Sequence, residues 1–317
     1  MCTAIFYAPG GLFGRTLDLE HTYAEQVTIT PGRYPLRFRR LSTVTDHYAI
    51  IGMATVADGY PLYYDGMNEK GLAAAALNFP RSAVYPSPQE GQENLASFEL
   101  IPYLLGRCAT VEEAQGCLAR LHLCDEAFGD ALPSTPLHWM LADRTRSVVV
   151  ESTAEGLRVY DNPVGVMTNE PPFPHQLTHL AHYAHLSADE PRGTWQAAVS
   201  RGAGAVGLPG DFSSPSRFVR AAFALAHADL PADPLARVNR FFRTLATVEV
   251  PRGCVRLPNG KAVVSHYTCG MDLAGGVYYY RTYENPRLCA LRLPADNAAT
   301  TPITFALQKE NDVCWQN

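Results

Sequence analysis

The sequence predicts an α+β fold, a four-layer α/β/β/α sandwich of two antiparallel sheets, and three observations carry that expectation. Strand-like segments fill the first eighty residues, yield to helical ones and return twice, giving the order strands, helices, strands, helices, strands. The regular strand-helix alternation of a doubly wound parallel sheet is missing, and blocks of antiparallel strands with separate helices are satisfied by sheets packed face to face with helices outside. At 317 residues, with 47% hydrophobic and 18% charged side chains, the chain can bury a large core and is globular rather than disordered. No internal repeat or low-complexity tract divides it, so it is read as a single domain over residues 1–317.

Taken in order, Thr3–Ala8 and Leu12–Leu19 are alternating or apolar runs split by Pro9-Gly10-Gly11, which reads as a hairpin. Strand pairing alone then brings Arg15 and Asp18 back beside Cys2. Gln26–Thr30, Tyr48–Val56, Pro61–Asp65 and Gly71–Leu77 continue the strands, punctuated by Pro31-Gly32, Asp58-Gly59 and Asn68-Glu69-Lys70-Gly71. Tyr48–Val56 is apolar almost throughout, which predicts cover on both faces. Helical spacing of Leu100, Ile101, Leu104 and Leu105 predicts a helix over Ser97–Cys108, and a capping box at Thr110-Val-Glu-Glu113 opens another over Val111–Leu121. A hairpin of Leu137–Ala142 and Ser147–Ser152, a strand near Gly165–Thr168 and a helix over Pro174–His185 follow. Pro215 marks the start of a helical pair, Ser216–Ala228 and Pro234–Thr247. Ala262–Cys269, Gly276–Tyr283 and Leu288–Leu293 complete the strands. The Pro/Gly-rich stretch Gly202–Pro215 reads as a long functional loop.

Composition excludes several classes. A net charge of -5 with no Lys/Arg-rich block argues against a nucleic-acid footprint. No apolar run is long enough for a membrane span, and the N-terminus lacks the basic region and cleavage site of a signal peptide, so the expected location is the cytoplasm. Eight cysteines without a C-x-x-C read as reduced thiols rather than a disulfide scaffold.

Cys2 is the exception. Removal of Met1 would leave a thiol and a free α-amine on one residue. An ordinary thiol titrates near ~8.5 and an α-amine near ~7.7–8.0, so the amine can take the thiol proton near neutrality without a histidine. Three other patterns compete with this chemistry. Gly202-x-Gly204-x-x-Gly207 fits a dinucleotide loop, but Leu-Pro-Gly-Asp-Phe follows where a helix must begin. His175, His179, His182 and His185 share one helix face without an H-E-x-x-H or a completing ligand, which predicts a solvated face and no metal. Gly-x-Ser-x-Gly does not occur, so a serine-hydrolase elbow is absent.

Cys2, Phe13-Gly14-Arg15-Thr16-Leu17-Asp18, Asp65-Gly66-Met67-Asn68-Glu69-Lys70-Gly71-Leu72, Leu77-Asn78-Phe79-Pro80, Leu137-His138-Trp139-Met140, Met167-Thr168-Asn169, Gly207 through Arg217, and Tyr278-Tyr279-Tyr280 recur in order. Together they resemble the choloylglycine hydrolase family of N-terminal-nucleophile hydrolases, which includes bile salt hydrolases and penicillin V acylases. The resemblance implies the Ntn-hydrolase version of the predicted sandwich and a set of catalytic positions. Cys2 would be the nucleophile and its amine the base, Arg15 would favour the thiolate, and Asp18 would orient the amine. The Asn169 side chain and the Asn78 N–H would hold the oxyanion, and Arg217 would support the network. Read without Cys2, Arg15 and Asp18 would be an ordinary cross-strand ion pair.

Asn78 in its Leu-Asn-Phe-Pro context resembles the bile salt hydrolases rather than the penicillin acylases. The implied substrate is a glycine- or taurine-conjugated bile salt, with penicillin V or an N-acyl homoserine lactone as alternatives within the class. A non-catalytic metal- or nucleotide-binding protein is the alternative outside it. By motif position Leu17, His21, Tyr60, Tyr64, Phe128, Leu132 and Leu137 would line the substrate pocket. Glu170 and His21 depart from the family pattern, and Glu170 could set a negative charge near an anionic substrate. No metal or organic cofactor enters the scheme, and the resemblance implies a homotetramer.

Overall fold

A computed structural model describes residues 1–192, 200–294 and 299–317. In chain order the strands are β1 (Cys2–Tyr7), β2 (Leu12–Leu19), β3 (Gln26–Thr30), β4 (Ile50–Ala57), β5 (Tyr60–Asn68), β6 (Ala73–Asn78), β7 (Glu93–Ala96) and β8 (Leu121–Cys124). They continue with β9 (Leu137–Ala142), β10 (Ser147–Thr153), β11 (Gly156–Asp161), β12 (Val166–Met167), β13 (Val264–Asp272), β14 (Val277–Thr282), β15 (Cys289–Arg292) and β16 (Ile303–Ala306). The helices are α1 (Leu100–Arg107), α2 (Val111–Leu118), α3 (Phe173–Ala181), α4 (Ser214–Ala226) and α5 (Pro234–Ala246).

Among the described residues one sheet has the order β12-β1-β2-β13-β14-β15 and the other β11-β10-β9-β6-β5-β4-β3-β16, while β7 and β8 form a small separate pair. Pairing within both large sheets is antiparallel, and β7 with β8 is parallel. Two hydrophobic clusters explain the layering. Side chains alternate across a strand, and on β6 Ala73, Ala75 and Leu77 enter one cluster while Ala74 and Ala76 enter the other. The first cluster joins that face to β1, β2, β13 and, beyond them, to Phe218, Phe241 and Phe242 of α4 and α5. The second places Leu100, Leu104, Val111 and Leu118 of α1 and α2 against Ile50, Trp139 and Leu141. Helix, sheet, sheet and helix therefore stack in the predicted order. Ile50 and Ile51 of β4 point into different clusters, as a strand apolar throughout requires.

The boundaries differ from expectation in ways that have physical causes. The predicted helix over Ser97–Cys108 begins as a 3-10 turn at Ser97–Glu99, where the Glu99 carboxylate accepts the Ala96 and Arg39 amides before α1 starts. The helix expected to run to Leu121 stops at Leu118, because residues from Leu121 pair with β7. The helix expected to reach His185 ends at Ala181, with His182 as its cap. Strand β11 was not expected, nor was β16; both are sheet edges, and the side chains of β16 are exposed.

One close approach and one tight turn hold the strands around the site. Gly14 faces Gly270 across the β2–β13 ladder, and a Cβ on Gly14 would lie 2.1 Å from the Cys269 carbonyl oxygen. Only glycine fits there. The hairpin from β1 to β2 turns through a 3-10 segment at Ala8–Gly10, closed by Gly11 at φ 59°.

Candidate active site

The β1–β2 register builds the centre of the site. Cys2 pairs with Leu17 and Ala4 with Arg15, so Cys2, Arg15 and Leu17 share the face turned towards the second sheet. Diagonal neighbours on such a face lie within reach of a long side chain. Arg15 uses that reach, and its Nη2 stands 2.6 Å from Cys2 Sγ. Its other donors go to carbonyl oxygens: Nε to Thr16 at 3.1 Å, Nη1 to Ala76 at 2.9 Å and to Tyr64 at 3.3 Å. Burial alone would lower the Arg15 pKa, but the negative field of Cys2, Tyr267, Asp65 and Cys269 reverses the sign, and the net shift is upward. Arg15 is thus a fixed cation against the sulfur.

Asp65 supplies part of that field. It is fully buried on β5, accepting the hydroxyls of Tyr267 at 2.5 Å and Tyr278 at 2.7 Å. Burial pushes its carboxyl up, while Arg15 and the two tyrosine hydroxyls pull against that shift. Asp65 and Tyr278 belong to the motifs that carry the family resemblance but have no role assigned by it; the signal in the sequence is an acid directly after a run of apolar and aromatic strand residues.

The opposite face of β1 and β2 meets α4. Arg217, fully buried in the first turn of that helix, donates through Nη1 to the Cys2 carbonyl and to Thr3 Oγ1 at 2.6 Å, and through Nη2 to Asn169 Oδ1 at 2.7 Å. Its Nε holds the Phe212 carbonyl at 3.0 Å. Burial lowers its pKa, partly offset by Asp18 and Cys2. Asn169, just past β12, accepts the Cys2 amide at 2.9 Å on Oδ1 and donates from Nδ2 to the Asn78 carbonyl at 2.8 Å. Its own amide is held by Ser214 Oγ at 2.9 Å.

Backbone alternation fixes where the Asn78 N–H points. The Phe79 amide bonds Pro136 on the β9 side, while the carbonyls of Ala76 and Asn78 accept Arg15 and Asn169 on the other. The N–H and C=O of one strand residue share an edge, so the Asn78 N–H faces the Cys2 edge. The β5–β6 register ends at Asp65 opposite Ala75, short of Asn78.

Asp18 meets the N-terminal residue through the main chain, with its carboxylate turned to neighbouring hydroxyls. Met1 still precedes Cys2, and its carbonyl accepts the Asp18 amide at 3.0 Å while its ammonium donates to the Asp18 carbonyl at 2.7 Å. The Asp18 carboxylate meanwhile accepts Thr16 Oγ1 at 3.0 Å and Ser265 Oγ at 2.6 Å. Ser265 lies opposite Asp18 across a bulge in β13, an alignment that no local sequence signal announces.

A cavity of about 280 Å³ opens beside Cys2 and Arg15. Leu17, Tyr64, Phe128, Leu132 and Leu137 line it, and so do Leu19, Tyr23, Leu62 and Phe98, which sequence reasoning omitted. Period-two spacing after Leu17 and before Tyr64 was the available signal for Leu19 and Leu62. Two expected lining residues lie elsewhere. His21 is turned to solvent, 3.3 Å from Glu20, and Tyr23 of the same segment takes the cavity position. Tyr60 shares the face of Leu62 and Tyr64, but four residues of strand carry it about 13 Å beyond Tyr64. It faces a neighbouring hollow behind the Phe98 and Phe128 wall. The Glu170 carboxylate is occupied by the Arg81 and Ser82 amides at 2.8 and 3.0 Å and by Ser82 Oγ at 2.7 Å, so it clasps the segment after β6.

A wider concavity of about 960 Å³ lies against α3, α4 and the far end of β1. Cys2 and Arg15 do not line it, and it is not the reaction site. The Gly202–Gly207 pattern forms a 3-10 turn at Ala203–Ala205, with α4 beginning only at Ser214. Among the described residues no cluster of three or more His, Cys, Asp or Glu side chains could hold a metal ion, and no helix is long and apolar enough to cross a membrane.

Comparison with known proteins agrees with this geometry. The family model for linear amide C–N hydrolases, choloylglycine hydrolase family, matches residues 2–305. The chain is 44% identical over 317 residues to a bile salt hydrolase/transferase of Lactiplantibacillus plantarum, covering 98% of each protein. A bile salt hydrolase/transferase of Clostridium perfringens is 36% identical, covering 90% of this chain and 89% of the relative. Among solved structures, the C2A mutant of conjugated bile acid hydrolase from Clostridium perfringens superposes with a TM-score of 0.92 at 33% identity over the whole of both chains. A penicillin V acylase from Agrobacterium tumefaciens shares the fold, with a TM-score of 0.76 at 21% identity over 96% of this chain and 91% of the other.

Proposed function

The chain belongs to the choloylglycine hydrolase family of linear amide C–N hydrolases, and from that premise we propose that it cleaves the amide joining a bile acid to glycine or taurine, through a thioester on Cys2. The observation that supports this most is the Arg15 guanidinium 2.6 Å from the Cys2 sulfur, at the head of an apolar-walled cavity. Removal of Met1 frees the Cys2 amine, which takes the thiol proton. The thiolate attacks the amide carbonyl, a carbon–sulfur bond forms, and the carbonyl oxygen gains negative charge. The Asn78 N–H and the Asn169 Nδ2 receive that charge. The protonated amine gives its proton to the departing amino acid as the carbon–nitrogen bond breaks. Water, deprotonated by the same amine, then attacks the thioester and releases the bile acid with the thiol restored. An amine arriving in place of water would make the same acyl-enzyme a transferase.

Arg217 supports the scheme by gripping the Cys2 carbonyl and Asn169 Oδ1 together. Asp18 meets the freed amine once Met1 and its two main-chain bonds to Asp18 are gone. In this reading the chain is one domain, acts in the cytoplasm as a homotetramer and needs no cofactor; a monomeric sedimentation profile would count against the assembly.

The test incubates the protein with glycocholate, taurocholate and penicillin V and measures released amino acid or side-chain acid, with intact mass establishing loss of Met1. Release from either bile salt, abolished by Cys2→Ala, is expected. Release from penicillin V alone would overturn the substrate, and undiminished hydrolysis by Cys2→Ala would overturn the mechanism.

A further inference from the structure

Outside the catalytic centre a pair of sulfurs stands in contact. Cys108 caps the C-terminus of α1 and is buried; Cys117, one residue before the end of α2, is partly exposed. Their Sγ atoms are 3.6 Å apart and hydrogen-bonded. Both lie on the helix side of the second sheet, whereas Cys2 lies between the sheets.

The surroundings polarise the two thiols in opposite directions. The Cys108 hydrogen bond pulls the Cys117 thiol down, with Arg120 and Arg107 adding positive field, and Arg120 Nη2 lies 3.9 Å from its sulfur. Cys108 moves up, through the same bond and its burial. With the Arg120 guanidinium beside its sulfur and solvent on one side, Cys117 is the member of the pair placed to carry thiolate character, the form that attacks oxidants. An accessible thiolate beside a buried partner is the arrangement of a sensing and a resolving cysteine. Disulfide formation needs the sulfurs to close to about 2.04 Å, and Cys117 has solvent on one side in which to turn.

We propose that Cys108 and Cys117 form a reversible oxidation site for hydroperoxides, with Cys117 the attacked thiol and Cys108 the resolving one. The Cys117 sulfur displaces alkoxide or hydroxide from the peroxide O–O bond and becomes a sulfenic acid, while the peroxide is reduced to alcohol or water. The Cys108 sulfur then attacks the Cys117 sulfur and expels water. Two thiols and one hydroperoxide give one disulfide, one alcohol or water, and one further water. A dithiol reductant reverses the bond by exchange. The proposal is independent of the hydrolase reading and would stand if that reading failed.

Trypsin tests it directly, because Arg107 and Arg120 flank the pair and both cysteines fall in one peptide, residues 108–120. The reduced full chain, wild type and Cys2→Ala, is treated with hydrogen peroxide, blocked with iodoacetamide, digested and weighed. The expected peptide 108–120 is two hydrogens lighter and unalkylated at a dose that leaves Cys254 and Cys314 alkylated, and becomes doubly alkylated if dithiothreitol precedes blocking. Cys117→Ser should leave Cys108 alkylated, and Cys108→Ser should carry Cys117 on to sulfinic acid. Recovery of the doubly alkylated peptide after peroxide, or of Cys117 as sulfinic acid beside alkylated Cys108 in the wild type, would overturn the proposal.

Discussion

In the proposed mechanism Asn169 does two jobs, and a pair of substitutions separates them. Its Oδ1 accepts the Cys2 nitrogen at 2.9 Å and Arg217 Nη2 at 2.7 Å, while Nδ2 donates one hydrogen to the Asn78 carbonyl at 2.8 Å and, in that scheme, offers the other to the substrate. Asn169→Ala removes both functions. Asn169→Asp keeps the acceptor and adds charge attraction to Arg217, but replaces the donor with an oxygen. If the donor stabilises the oxyanion, its loss costs roughly 10²–10³ in kcat, or about 2.7–4 kcal/mol. The aspartate should lose at least as much, since its second oxygen would face the Asn78 carbonyl and the developing oxyanion. Two unit charges about 4 Å apart at an effective dielectric of ~20 repel by about 4 kcal/mol, a penalty that Arg217 offsets in part. The assay is glycine release from glycocholate, with kcat and KM resolved and thermal melts establishing that both variants fold. If Asn169→Asp keeps more than about a tenth of wild-type kcat while Asn169→Ala falls by the full factor, the donor is not what matters and the oxyanion role is refuted.

Other positions give sharper contrasts than deletion of the nucleophile. Tyr60→Phe removes a buried hydroxyl that has no hydrogen-bond partner, so stability should change by no more than about 1 kcal/mol and KM should not move. Phe128→Ala should raise KM roughly tenfold, because one wall of the cavity loses an apolar ring. Gly14→Ala should lower the unfolding free energy read from urea titration by at least the upper end of the ~1–3 kcal/mol overpacking range, since the opposing atoms are backbone and cannot rotate away. Hydrogen bonds from Ser213 and Ser216 hold the Asp211 carboxyl down at about 2. A depressed acid stabilises the fold above its unfolded value and loses that contribution as the pH falls through its folded one. The Tm gap between wild type and Asp211→Asn should therefore shrink from about pH 4 to about pH 2; a constant gap by calorimetry would contradict it.

Local chemistry made part of this molecule readable in advance. The hairpin at Pro9-Gly10-Gly11 sets a register that puts Arg15 diagonal to Cys2, and strands β3 and β9 start and stop at the residues expected from sequence. Edge strands were harder: β16 pairs with β3 through its backbone while its side chains stay exposed, leaving no burial pattern to detect. Long-range partners were hardest. Asn78, Asn169 and Arg217 were identified through family resemblance, because nothing local says that residues 91 positions apart will share a hydrogen bond. Ser265 beside Asp18 depends on a bulge in a strand almost 250 residues away, and the cluster around Asp65 depends on two sheets meeting. His21 and Tyr60 went astray for the converse reason: nearness in sequence to a pocket residue does not determine which side of a wall a ring occupies.

The bond between Asn78 and Asn169 joins the two halves of the sandwich, since Asn78 ends a strand of one sheet and Asn169 follows a strand of the other. His138 adds a second rivet nearby, reaching from β9 to the Thr168 carbonyl at 2.8 Å while its other ring nitrogen meets Glu151 at 3.1 Å. The spacing between the two amide donors is therefore not set by any single loop; it is the gap between layers, measured at one point. Sliding one layer against the other would pull the donors apart while leaving each strand's own ladder intact, so turnover should report misalignment of the sandwich before any loss of secondary structure registers it.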